Sequence, residues 1–303
     1  MQQNSTIYKP ENASGTTLIS IIVPLFQGLR YVDKICKNIF NATRPLSRGD
    51  NVELIFVNDY PDEHIELDNP AYPFEIKIIE HSSNMGIQAA RISGLKHSRG
   101  EYILFLDQDD SIDNSFFKNQ LGHAGKYDVC VAMGYRVYDD GKHLIPLYSK
   151  PHTRLISRLI SSKKSYIFGT DMIFSPGQCL IKRQSIPDSW INTLIANNGC
   201  DGFFLWLLMF ENNCTFGFNP DACYYHIESC SNYSGEKNRM ISSFSSMLDS
   251  LQQCGYPSNF LSVLNTRLYI KLHRNSPFKL AMKLLCNPKI SFYTLLYKLA
   301  GYD

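Results

Sequence analysis

The sequence predicts an α/β fold: a mainly parallel central sheet flanked by helices, followed by a helical C-terminal extension. Three observations lead there. Compact apolar runs alternate with helical stretches over short connections, the pattern of βαβ units. The first runs are continuously apolar rather than alternating, as expected of strands covered on both faces. Over about residues 260–303, strand signals give way to a basic stretch with leucines at helical spacing.

Residues 1–16 mix Asn, Ser, Thr and Gly and read as a mobile arm. Leu18-Ile19-Ser20-Ile21-Ile22-Val23 is a buried-strand signature that stops at Pro24. Tyr31, Ile35, Ile39 and Phe40 then repeat at helical spacing over residues 31–43, closed by Pro45. A second strand, Val52 to Val57, runs into Asn58-Asp59, and a third spans Phe74 to Ile79. Residues 86–97 read as a helix. A fourth strand, Tyr102 to Leu106, ends in Asp107-Gln108-Asp109-Asp110. Val129 to Tyr138 predicts another strand before the turn Asp139-Asp140-Gly141. Residues 150–175 are rich in Ser, Lys and Arg and are hard to assign to helix or strand. Gln178 to Ile181 predicts a strand, Gly202 to Phe210 a helix, and residues 215–226 mix strand and turn signals.

With 303 residues, 44% of them hydrophobic, the chain can bury a core without disulfides or structural metals. A net charge of +2 gives no electrostatic case for nucleic acid. The nine cysteines contain no C-x-x-C pair, so a zinc ribbon has no support. Their odd number, with no apolar leader ahead of them, leads to the expectation of reduced thiols and a cytoplasmic protein. No run reaches the roughly 18 apolar residues of a membrane span. The tail carries Arg267, Lys271, Arg274, Lys279, Lys283, Lys289 and Lys298 against Asp303 alone. Leu280, Leu284 and Leu285, then Phe292, Leu295, Leu296 and Leu299, recur helically. Two expectations stand side by side: peripheral contact with the inner face of an anionic membrane, or packing on the domain with a solvated basic face.

In an open parallel sheet, ligands bind outside the carboxyl ends of the strands. Two strands here end in acids: Asp59, and the group Asp107, Asp109 and Asp110. Three neighbouring carboxylates repel one another, and a hard divalent cation is the usual remedy. Mg²⁺ and Mn²⁺ commonly combine one or two carboxylates with substrate phosphates. The bland alternative is a solvated loop, or an N-cap at Asp110-Ser111. Neither a Walker loop nor a G-x-G-x-x-G follows the first strand, so the common phosphate cradles are missing.

These residues resemble the family 2 glycosyltransferases of GT-A fold. The match starts at Ser20-Ile21-Ile22-Val23-Pro24 and continues at Val57-Asn58-Asp59, where the family has a pair of acids and this chain has Asn58 first. It is densest in an N-x-G-x-x-x-A-R-x-x-G-L segment from Asn84 to Leu95, followed by Gly100 to Asp110. Gly199-Cys200-Asp201-Gly202-Phe203-Phe204-Leu205-Trp206 is similar to the family's acid before an apolar helix, with Cys200 where an acid is common. Tyr225-His226-Ile227-Glu228-Ser229 resembles its late His segment.

The resemblance implies a GT-A type, Rossmann-like domain over residues 17–235. Its nucleotide-binding half would be 17–115 and its acceptor half 116–235, with a helical basic extension over 236–303. It implies an inverting hexosyltransferase that takes a sugar from a nucleotide-diphosphate sugar, UDP-linked by expectation. The acceptor would be a hydroxyl of a saccharide or lipid-linked molecule in cell-surface polysaccharide synthesis. Pro24, Phe26, Asp59, Asn84, Gly86, Arg91, Asp107 and Gln108 would bind the nucleotide sugar, with Asp59 on the nucleobase, Arg91 near the diphosphate or bracing the nucleotide pocket, and Asp107 facing the ribose or the metal. Asp109, Asp110 and His226 would hold Mn²⁺ or Mg²⁺, Asp110 either as a ligand or as support behind the ligands, and Asp201 would be the catalytic base. The bland readings are that Asp201 caps its helix, Arg91 pairs with a nearby acid and His226 is an ordinary satisfied histidine. A nucleotide-sugar-binding protein without catalysis, or less readily a nucleotidyltransferase, are the alternative functions.

Overall fold

The protein is seen in a computed structural model that describes residues 4–8, 17–46, 51–67, 72–138, 141, 143–148, 150–228, 236–273, 276 and 284–300. The expected turn residues Asp139 and Asp140, the end of the His segment at Ser229, and Arg274, Lys279, Leu280, Lys283 and Asp303 of the tail lie outside these.

The strands are β1 (Asn4–Tyr8), β2 (Thr17–Leu25), β3 (Asn51–Asn58), β4 (Glu75–Glu80), β5 (Tyr102–Phe105), β6 (Ser111–Ile112), β7 (Val129–Tyr138), β8 (His143–Pro146), β9 (Cys179–Lys182) and β10 (Phe216–Ile227). They form one sheet in the order β1-β4-β3-β2-β5-β9-β7-β10-β6, with β8 beside β7. The pairs β4-β3, β3-β2, β2-β5 and β7-β10 are parallel. β9 enters antiparallel between β5 and β7. The chain winds outward from β2 through β3 to β4 and then returns to lay β5 on the other side of β2. This reversal of direction opens a crevice at the carboxyl ends of β2 and β5.

Expectation and structure part at the N-terminus. Asn4–Tyr8, read as part of a mobile arm, is a strand paired antiparallel with Glu80 to Ile76. Ser5, Thr6 and Ile7 have exposed side chains, so backbone bonds to the open edge of β4 and the partly buried Tyr8 hold the strand, and a polar composition gives no warning of that. β2 also runs through Pro24 to Leu25, because Pro24 can occupy a strand-end position where its missing N–H is not required. The mixed signals of residues 215–226 have a local cause. The β10 register slips between Asn219 and Cys223, and the extra residues hold Pro220, which cannot donate to the ladder.

The helices begin with α1 (Val32–Thr43), whose buried stripe is Val32, Ile35, Cys36, Ile39 and Ala42. In α2 (Ile87–His97) every residue from Gln88 to Leu95 is buried. It lies so close to the sheet that a Cβ on Gly94 would sit 2.3 Å from Ile22 Cγ2. α3 (Phe116–Ala124) packs on β7 and β10. The stretch 150–175 folds into α4 (Thr153–Ile160) and α5 (Lys163–Phe168). α6 (Asp188–Asn192) precedes α7 (Asp201–Glu211), which is buried from Asp201 to Phe210 and forms the second half's core with Trp206 at its centre.

The extension is helical: α8 (Lys237–Gln253), α9 (Ser258–Leu272) and a final helix Pro288–Leu299. α8 buries Phe244, Met247, Leu248 and Leu251. The final helix docks through Ile290 and Tyr297, whose hydroxyl donates to the Ser165 carbonyl at 2.7 Å. Its opposite face leaves Phe292, Leu295 and Leu299 exposed. Among the described residues no helix is long and apolar enough to cross a membrane.

Candidate active site

At the crevice, the loop after β2 is clamped to the acid loop after β5. Phe26 N–H donates to Gln108 Oε1 at 2.9 Å, and Gln108 Nε2 returns a bond to the Phe26 carbonyl at 3.2 Å. The Phe26 ring meets Tyr60 edge-on at 5.2 Å and stays largely exposed, a free apolar face beside the acids.

Asp59, at the end of β3, is buried and well engaged. Oδ1 accepts from Met85 N–H and Oδ2 from Gly86 N–H, each at 2.8 Å. His81 Nδ1 lies 2.8 Å from Oδ1, and its other nitrogen 2.8 Å from Ser93 Oγ. The carboxylate thus braces the backbone that enters α2. With about four lone-pair sites, an ionised carboxylate engaged three times keeps little capacity for a nucleobase. Gly86 carries the turn at φ 88°, a left-handed value suited to glycine, and Asn84 Oδ1 accepts its N–H at 3.0 Å. α2 starts without a cap of its own: Ile87 N–H donates to Asn198 Oδ1, 3.2 Å away on the loop before α7.

Arg91, one turn into α2, is the hub. Its Nη1 donates to Asp201 Oδ2 and its Nη2 to Asp107 Oδ1. The guanidinium is nearly inaccessible, with 3% of its side chain exposed, yet its Nε–H finds no acceptor. The two carboxylates outweigh burial and raise its pKa above the ordinary value. Ser175 Oγ donates to the other oxygen of Asp107 at 2.9 Å. Asp201, the first residue of α7, therefore spends Oδ2 on Arg91 rather than on capping its own helix. Its Oδ1 has no hydrogen-bond donor among the described residues. Trp190 Nε1 fixes the backbone there by donating to the Asp201 carbonyl at 3.1 Å.

The two remaining acids of the loop differ. Asp110 is fully buried and satisfied inside the protein. It accepts from Tyr224 Oη and, at 3.0 Å, from Ile227 N–H, and it lies 3.1 Å from His226 Nδ1. It caps no helix, since Ser111–Ile112 pairs with β10 instead. Burial works to lower the His226 pKa, but the hydrogen bond and charge of Asp110 outweigh it and raise it. Asp109 has no such partner set. Burial, then repulsion by Asp110 and Asp107, pushes its carboxyl up to about 7.

Ten of the expected site residues line one cavity of about 880 Å³: Pro24, Phe26, Asp59, Asn84, Arg91, Asp107, Gln108, Asp109, Asp201 and His226. Gly86 and Asp110 stand behind its wall, supporting it. Among the described residues no three His, Cys, Asp or Glu side chains form a cation cage by themselves. The donor chemistry still fits a hard divalent cation completed by phosphate oxygens. Asp109 is a carboxyl short of countercharge at the cavity surface, with Asp107 next to it.

Sequence reasoning missed Ser175, Tyr224, Asn198 and His81. Of these only Asn198 left a sign, and a negative one: α2 begins at Gly86-Ile87 with no Ser, Thr, Asp or Asn cap, so its free N–H groups need a partner from elsewhere. It also left out Arg239, Met240, Phe244, Arg267 and Lys271, by which α8 and α9 build the far wall of the same cavity.

A family model described as glycosyl transferase family 2 matches residues 20–190. The putative glycosyltransferase EpsH of Bacillus subtilis is 31% identical over 128 residues, 40% of this chain and 34% of that protein. Bacillus subtilis EpsJ, an uncharacterized glycosyltransferase, is 27% identical over 172 residues, 55% of this chain and 48% of that protein. The chain thus spans no more than about half the length of these relatives. The fold matches S. aureus TarS 1-349 in complex with UDP-GlcNAc at a TM-score of 0.58 and 15% identity, over 91% of this chain and 79% of that one. It also matches the mannosyltransferase PcManGT of Pyrobaculum calidifontis, in complex with GDP-Man and Mn²⁺, at 0.54 and 14%, over 97% and 76%. The α/β architecture expected from the resemblance, GT-A in type, is the one observed. With the family model covering more than half of its 303 residues, this chain belongs to glycosyl transferase family 2.

Proposed function

We propose that the chain is an inverting glycosyltransferase that moves a sugar from a UDP-linked donor to a hydroxyl of a saccharide or lipid-linked acceptor in cell-surface polysaccharide synthesis. The observation that carries this reading is the Arg91 bridge. One buried guanidinium joins Asp107 of the donor loop to Asp201 of α7 within the cavity that Asp109 also lines. The UDP and UDP-GlcNAc complexes of TarS support a nucleotide-sugar donor. The relationship to the minor teichoic acid biosynthesis protein GgaB of Bacillus subtilis supports a surface polymer.

An acceptor hydroxyl must lose its proton as it bonds to the donor's anomeric carbon. Asp201 Oδ1 takes that proton while Arg91 fixes the carboxylate through Oδ2. Attack and departure on opposite faces invert the anomeric centre. Phe26 and the Gln108 clamp shape the nucleotide end, and Asp59 holds the Asn84–Gly86 turn beside it. Mn²⁺ or Mg²⁺ would be held by Asp109, with the donor diphosphate, and supplies Lewis-acid stabilisation of the leaving group's charge. The Asp201→Asn protein should bind UDP with Mn²⁺ like the wild type but release nucleotide from the donor about a hundredfold more slowly or worse, the range for a lost general base. Wild-type turnover in that variant removes Asp201 from the role.

The place of action proposed is the inner face of a membrane. Phe292, Leu295 and Leu299 share the solvent face of the final helix, with Lys289 and Lys298 exposed beside them. Co-sedimentation with phosphatidylglycerol vesicles tests it, and protein that stays in the supernatant sinks it.

A further inference from the structure

The cavity changes character along its length. The end beneath β2 and β5 is acidic, with Asp59, Asp107, Asp109 and Asp201. The end closed by the extension is lined by Phe203, Arg239, Met240, Phe244, Arg267 and Lys271. Arg239 is answered by Glu236 at 2.8 Å. Arg267 and Lys271 are not answered by a carboxylate: among the described residues neither makes an ion pair.

Arg267 is 5% exposed, and its Nη1 donates only to the backbone carbonyls of Tyr166 and Ile167. Its guanidinium carbon lies 5.5 Å from the Phe203 ring and 5.7 Å from the Phe244 ring. Lys271, one turn further along α9, places its ammonium 4.7 Å over the Phe244 ring and is open to the water of the cavity. Burial pushes Arg267 down to about 10, and burial with the Arg267 charge lowers Lys271. Asp171, the acid that lines this end, accepts the Ile173 N–H at 2.9 Å. Burial pushes its carboxyl up to about 7, so it offers the two cations only partial compensation. The Trp206 indole N–H, deep in the same wall, has no acceptor.

A buried Arg267 answered only by carbonyls, beside a water-facing Lys271 and a single acid that compensates them in part, leaves positive charge at this end that an anionic ligand would satisfy. Asp201 and Phe203 are both on the first turn of α7 and line the same cavity, and Arg267 lies 5.5 Å from the Phe203 ring, so base and basic end belong to one continuous wall. We propose that the basic end is an anion subsite for the acceptor, in which Lys271 and Arg267 receive a phosphate or carboxylate carried close to the reacting hydroxyl. The inference rests on the proposed function in taking the acidic end as the donor end.

Calorimetric titration of the full chain, saturated with UDP and Mn²⁺, tests it with matched probes: glycerol 3-phosphate against glycerol, and methyl glucuronide against methyl glucoside. One anionic probe should bind at least about tenfold more tightly than its neutral counterpart, the scale of a hydrogen bond to a charged group. Which pair shows the preference tells phosphate from carboxylate. The preference should vanish in Lys271→Gln and persist in Lys271→Arg, with UDP titration reporting that the fold is intact. No preference in either pair, or a preference that survives Lys271→Gln, overturns the subsite. If UDP does not bind, the donor reading falls, while the same probes on nucleotide-free protein still decide the role of Lys271.

Discussion

Glu53 and Asp109 sit at opposite ends of the same parallel strands and have opposite fates. Glu53, near the start of β3, is fully buried and completely answered. It accepts from Ser20 Oγ at 2.6 Å, Lys77 Nζ at 2.7 Å and Arg99 N–H at 2.5 Å. Burial works to raise its pKa, but these bonds outweigh it and hold the carboxyl below the ordinary range. Asp109, past the end of β5, lacks such donors and is pushed up to about 7 by burial and its acidic neighbours. One carboxylate is answered by the protein, whereas the other is left among acids at the cavity surface. An acid that stays short of countercharge in a cavity marks a ligand site better than burial does.

The largest effect expected from breaking this contrast is at Asp109. Asp109→Ala should abolish the metal dependence of UDP binding measured by calorimetry, and an unchanged Mn²⁺ dependence would remove Asp109 as the cation's ligand. Glu53→Leu should leave nucleotide chemistry alone but take from Lys77 its closest carboxylate, leaving it Glu75 at 3.5 Å and the His97 carbonyl, and lower stability by up to about 3 kcal/mol in urea unfolding, the scale of a broken buried pair.

The pH dependence should have opposite signs at the two ends. A carboxyl whose folded pKa is depressed contributes stability above its unfolded pKa and loses it as pH falls through the folded value. Thermal melts should therefore fall off in acid less steeply for Glu53→Gln than for the wild type. A raised carboxyl works the other way, so the nucleotide-free wild type should gain stability as pH drops through about 7, and Asp109→Asn should flatten that gain. Ser175→Ala removes one hydrogen bond to Asp107 and should cost only about 1 kcal/mol of stability, with a modest loss in turnover.

The parallel strands were legible because β-branched runs buried on both faces leave a continuous apolar signal, and β7 was read to the residue at both ends. The acid loops were legible because they sit where such strands end. Long-range polar contacts were not. Tyr224 reaches Asp110 across 114 positions, and Asn198 caps α2 from 111 positions away. No local period encodes those meetings. α4 buries Ile156, Leu159 and Ile160 at helical spacing, but over only eight residues and among Ser and Arg, while α5 buries Ser165, Tyr166 and Ile167 in succession, which shows no helical period. The basic tail was read as either a membrane face or a packing element. The final helix packs by one face and exposes the other, and α8 and α9 contribute walls of the cavity.

Arg91 also constrains how such a sequence can drift. Replacing Asp107 or Asp201 alone leaves the guanidinium half-answered in a place water barely reaches, and replacing Arg91 removes a partner from two acids at once, leaving the buried Asp201 carboxylate without its donor. Each single step crosses a valley, so the three positions are expected to change together or not at all. Lineages that abandon the chemistry can lose all three, while Phe26, exposed and bound only through its backbone and an edge contact, is free to vary with the nucleotide it faces.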